Sequence, residues 1–156
     1  MQHALNDAEK EDFILGFFKT AKKTFLRDGY HGLILILFKD MEFVDATGIE
    51  VPAERHERIE ELAMRMSDRP FDTVVMISEQ WSAPLEIVEL GLMPSESDRR
   101  IETLDVWGAF CDGVMIEVSA EILRDGDALD LGPHRLSWDM KFHLLEPIAE
   151  KWQSLQ

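Results

Sequence analysis

The sequence predicts an α+β fold: a mostly antiparallel sheet of about five strands with helices packed on it. Three observations lead there. Apolar residues recur at helical spacing near the two ends and once in the middle of the chain. Between those stretches lie short branched or alternating runs joined by tight turn sequences, which read as strand hairpins. Strand–helix–strand units are outnumbered by hairpins, so a wholly parallel sheet is not expected.

The elements follow in order. Asn6 with Glu9 three residues later forms a capping box, and Asp7, Glu9 and Glu11 suit the positive end of a helix dipole. Phe13, Ile14, Phe17, Phe18, Ala21 and Phe25 give one helix face, and Gly29 ends it, so a helix is expected over 7–28. The continuous apolar run 33–38 reads as a central strand covered on both faces. Lys39-Asp40-Met41-Glu42 is a turn, Phe43-Val44-Asp45-Ala46 a shorter returning strand, and Thr47-Gly48 a break. Pro52 opens a second helix whose inner face is Ile59, Leu62, Ala63 and Met66, ending before Arg69-Pro70. A third strand is expected over 73–78. Residues 80–100 have no clean period, being interrupted by Pro84, Gly91 and Pro94. A strand over 101–110 turns at Cys111-Asp112-Gly113 into a partner over 114–123. Residues 128–131 add a short strand, and a last helix over 144–155 carries Leu145, Ile148, Ala149, Trp152 and Leu155. The order α-β-β-α-β-β-β-α is similar to the profilin-like layered folds of sensor domains, an analogy of fold alone.

With 156 residues and no linker, repeat or low-complexity stretch, a single domain over 1–156 is expected. Sixteen basic against 31 acidic residues give a formal net charge of −15. Such a surface is repelled by phosphate backbones and anionic lipid, which argues against direct nucleic-acid or membrane binding. It permits a basic protein partner, metal cations or mimicry of nucleic acid, and solubility alone is reason enough for it. The single cysteine, Cys111, excludes an intrachain disulfide. The first eleven residues lack the basic and apolar regions of a signal peptide, and no apolar run is long enough to span a bilayer. A cytoplasmic location follows as the expectation.

Candidate chemistry concentrates where the third strand ends. Ser78-Glu79-Gln80-Trp81 is followed, after the irregular stretch, by Pro94-Ser95-Glu96-Ser97-Asp98-Arg99-Arg100-Ile101-Glu102-Thr103-Leu104. This block resembles a family of uncharacterised bacterial and phage-borne proteins. There a strand ends in an acidic residue and Trp, and a Ser-rich turn with Asp-Arg-x-x-Glu leads into the next strand. The resemblance covers about 28–126 and rests on Glu79, Trp81, Asp98, Arg99 and Glu102. The commonest form of the motif has Pro where Ser97 stands here, which implies a looser turn. The family implies no reaction. Physically, Arg99 could fork onto a carboxylate and Trp81 could pack beneath it, as a ligand site or as a latch that ties the irregular stretch to the sheet.

Other candidates read as structural. His56 and Glu60 share a helix face, but a second His is missing where a zincin motif needs it, so no metal site is expected. Cys111 has no His tied to it by any motif. Gly29-Tyr30-His31-Gly32 reads as a helix cap and turn that could also admit a ligand to the backbone. The aromatic stripe on the first helix and Trp152 on the last read as core, with a dimer face as the other reading. Phosphate-binding loops, dinucleotide fingerprints and nucleophile elbows are missing, so no cofactor is expected. Three functions remain. The first is a small acidic module that binds another protein or a second copy of itself, and is not an enzyme. The second is a small-molecule-binding or hydrolytic enzyme using Glu79, Trp81, Arg99 and Glu102. The third is an acidic mimic of nucleic acid.

Overall fold

A computed structural model describes residues 5–50, 54–65, 71–82, 101–138 and 145–155. They form α1 (Asp7–Asp28), β1 (Leu33–Lys39), β2 (Glu42–Ile49), α2 (Arg55–Met64), β3 (Thr73–Ser82), β4 (Ile101–Phe110), β5 (Met115–Asp125), β6 (Ala128–Leu131), β7 (Arg135–Trp138) and α3 (Glu146–Ser154). The strands make one antiparallel sheet in the order β2-β1-β3-β4-β5-β6, with β7 also paired to β5. The class is α+β. The sheet has seven strands rather than about five: the short strand expected over 128–131 is present as β6, and β7, four residues long and too short to show a period, is added.

α1 begins and ends as its sequence dictates. The Asn6 side chain accepts from the Glu9 N–H at 2.9 Å, and Glu9 accepts from the Asn6 N–H at 3.2 Å. Gly29, at φ 82°, donates its N–H to the Phe25 carbonyl at 2.8 Å. Ile14, Phe18, Ala21 and Phe25 face the sheet and bury against Val75, Ile77, Val106, Ile116 and Val118. Each large apolar side chain so buried contributes about 1.5–3 kcal/mol. The closeness of the helix depends on Gly108 of β4: a Cβ there would lie 2.3 Å from Ile14 Cδ1.

The other face carries Leu35, Leu37, Val74, Met76, Trp107 and Ala109, covered by Ile59 and Ala63 of α2 and by Ile148 and Trp152 of α3. Two covered faces explain the unbroken apolar run of β1, whose residues serve the two cores alternately. Trp152 is a core anchor here: its indole N–H donates to the Phe71 carbonyl at 2.8 Å and its ring meets Phe71 edge-on.

The hairpin between β1 and β2 pairs Lys39 with Glu42 and leaves Asp40 and Met41 as a two-residue turn. Both sit at positive φ, 50° and 69°. The Asp40 N–H donates to Asp72 Oδ2 at 2.9 Å, which ties the turn to the start of β3. β2 does not stop at Ala46: Thr47 and Gly48 stay paired, opposite Leu35 and Ile34, and the strand runs on to Ile49. The glycine sits in this edge strand without breaking its pairing.

At the opposite edge β6 and β7 run antiparallel to β5 as one strand broken at Gly132-Pro133-His134. The Gly132 N–H still reaches the Glu121 carbonyl at 2.9 Å.

Candidate binding site at the end of the sheet

β3 was expected to stop at Ser78 and instead continues through Ser82. Its alternation places Val75 and Ile77 on the α1 face, and carries that face on to Glu79 and Trp81, both exposed. The register sets Glu79 opposite Leu104 and Trp81 opposite Glu102. The sheet thus gathers Glu79, Trp81 and Glu102 on one face. Asp98 and Arg99 lie outside the described residues. The guanidinium found among these acids is Arg124 of β5, whose Nη2 donates to Glu102 Oε2 at 3.0 Å. The hydrogen bond and the charge of Glu102 hold Arg124 above its ordinary value.

The Glu79 carboxyl lies above the usual carboxylate range. Partial burial is the main cause. A hydrogen bond from the His31 backbone and the charge of Arg124 pull it back, while Glu102 pushes it further up. Among the described residues Arg124 is ion-paired with Glu102 and acts on Glu79 only through its charge.

Beside Glu79 opens a cleft of about 480 Å³. The α1–β1 connection supplies Tyr30, His31 and Gly32, the end of β2 supplies Gly48, Ile49 and Glu50, and α2 supplies Arg55. Ser78 and Glu79 complete it from β3. Gly29 caps the helix, and the next three residues wall the cleft.

A second polar feature escaped the sequence reading. On the face opposite α1, Ser78, Asp105, Ser119 and Arg135 stand in register across β3, β4, β5 and β7. Gln80 and Thr103 flank the row, with Gln80 Nε2 donating to Ser78 Oγ at 3.0 Å. Asp105 is 3% exposed, and its Oδ1 is buried with no hydrogen-bond partner. Burial raises its pKa, against hydrogen bonds from Ser119 and Thr103 and the charge of Arg135. Glu117 is pushed up to about 7, first by burial and then by the Asp105 charge, with Arg135 opposing. The available signal was the polar alternation Thr103, Asp105 in β4 and Glu117, Ser119, Glu121 in β5.

The remaining candidates lie elsewhere on the molecule. His56 and Glu60 are exposed on α2, and no group of three or more metal-capable side chains occurs among the described residues. Burial, with Asp72 and Asp112, pushes the Cys111 thiol up, the reverse of what a nucleophile needs. Beside it, Asp112 lies below the carboxylate range. Burial opposes this, but Lys10 and the Val114 N–H bond outweigh it. Among the described residues, no helix is long and apolar enough to cross a membrane.

No curated protein and no solved structure matches the chain. A family model does, over residues 1–155, and its description is Bacteriophage lambda protein ea47. The phage-borne character suggested by the strand-Glu-x-Trp block is therefore met across nearly the whole sequence, and the chain belongs to the bacteriophage lambda ea47 family.

Proposed function

We propose that the protein is a small acidic binding module that takes an extended, basic segment of a partner protein as an added strand on β2. The observation that carries this reading is the state of that edge. β2 is eight residues long and exposed along most of its length. It holds neither Pro nor Lys, the residues that usually blunt an open edge. The opposite edge is guarded, being split into four-residue pieces around Pro133.

Phe43 of β2 is 63% exposed, yet its ring meets Phe38 edge-on at 6.4 Å. Phe38 in turn packs on Phe13 and Phe17 of α1. An added strand would cover Phe43 and extend an aromatic row already in the core. Backbone pairing supplies affinity in such additions, and side chains supply selection. Here the selecting charges are Glu42, Asp45 and Glu50 on a molecule of net charge −15, which favours a basic segment over a second acidic copy.

The test is a titration of the ¹⁵N-labelled chain with two capped peptides of alternating Val and Lys or alternating Val and Glu. The Lys peptide should shift the β2 amides and saturate, and the paired substitutions Phe43→Lys and Val44→Lys should abolish that response. Equal response to both peptides, or none in β2, sinks the proposal. Dimerisation through β2 without peptide would replace the basic partner by a second copy.

A further inference from the structure

We propose that the cleft at the end of β2 receives a guanidinium or ammonium side chain, supplied by the same segment that adds to β2. This deepens the strand-addition reading and rests on it for the source of the side chain. Position is the first argument. Gly48, Ile49 and Glu50 are both the end of the open edge and a wall of the cleft, so a segment lying along β2 passes its mouth.

Chemistry is the second argument. Glu50 and Glu79 are the two acidic residues among the described lining of a space of about 480 Å³, large enough for a long side chain. Tyr30, 64% exposed, offers an aromatic face on the same lining. A carboxylate pair with an aromatic ring is the setting that holds a cationic head by charge-assisted hydrogen bonds and by ring attraction.

The third argument is charge balance. Arg124 is engaged with Glu102 at 3.0 Å, so it only partly offsets Glu79. Glu79, though exposed, is partly shielded from water by its surroundings, which raises the cost of its charge. A second cation relieves that cost, whereas an anion adds to it. Among the described residues Arg55 is the one guanidinium in the lining, and the charges acting on Glu79 are those of Arg124, Glu102 and His31. Arg55 thus competes for the cleft without satisfying Glu79.

The probe is N-acetyl-arginine amide, with N-acetyl-citrulline amide as its uncharged isostere, titrated into the ¹⁵N-labelled full chain at physiological salt. The arginine probe should shift the amides of Gly32, Gly48 and Glu79 in a saturable way, and the citrulline probe should not. Glu79→Gln and Glu50→Gln should each weaken binding about threefold, and Arg55→Gln should tighten it by a similar factor. These positions are exposed, so the variants keep the fold, which their unchanged spectra elsewhere would verify. Equal response to the two probes, or a response insensitive to Glu79→Gln, overturns the proposal. A capped single residue cannot add a strand. Binding of this probe with no peptide response at β2 therefore leaves the cleft standing and removes the strand reading, and the converse result removes the cleft alone.

Discussion

Replacing Glu117 by Gln should stabilise the protein above neutral pH and flatten its pH profile. Glu117 sits at an ordinary value of 4.5 when unfolded and at about 7 when folded. Between those values the folded chain keeps a proton that the unfolded chain has released, so stability falls as pH rises through the window. The full difference corresponds to roughly 3 kcal/mol. Glu117 is only part-buried, and solvent screening reduces the figure to about 1–2 kcal/mol. Glu117→Gln keeps the shape and removes the charge, so the variant should gain about that much at pH 8 and nothing at pH 4. Urea melts of both proteins from pH 4 to 8.5 give the difference curve directly. A difference that stays flat across the window, or a variant less stable than wild type at pH 8, refutes the reasoning. Asp105→Asn supplies a cross-check: with the second cause removed, the Glu117 midpoint should move down.

Three further outcomes are expected. Gly108→Ala should cost about 1–3 kcal/mol in a thermal melt, because the new methyl meets fully buried Ile14, whereas Gly32→Ala, with open space around it, should cost far less. Met41→Gly should gain about 0.5–1 kcal/mol, since a residue at φ 69° in a two-residue hairpin turn is strained with any Cβ; a loss would show that the Met41 side chain holds the turn. Lys10→Met should cost about 1 kcal/mol at pH 7 and less at pH 3. Its ion pair depresses Asp112, so that contribution is present above the ordinary carboxylate value and lost as pH falls through the folded one.

Local signals carried far in this sequence, and non-local ones did not. α1 was legible to the residue, because a capping box, an apolar stripe and a C-terminal glycine are all encoded within 24 consecutive positions. The doubly covered β1 was legible for the same reason, as an unbroken apolar run. The far end of β3 was not. Glu79-Gln80-Trp81 has the composition of a loop, and only pairing with Leu104, Thr103 and Glu102 holds it extended. Arg124 was invisible beside Glu102 because the pair is 22 residues apart and created by the β4–β5 register. Trp152 could be seen as an anchor but not what it anchors, since its partner is a backbone carbonyl 81 residues away. The buried row through Asp105 hid in a pattern that reads equally well as a wet face. Which side of a sheet is covered depends on where the helices land, and alternation alone does not record that.

The fracture in the β6–β7 strand has a consequence for stoichiometry. Among the described residues the sheet offers an eight-residue strand at one edge and only four-residue segments at the other. Lateral pairing is therefore favoured at one edge, and under the strand-addition proposal each chain would take one added strand.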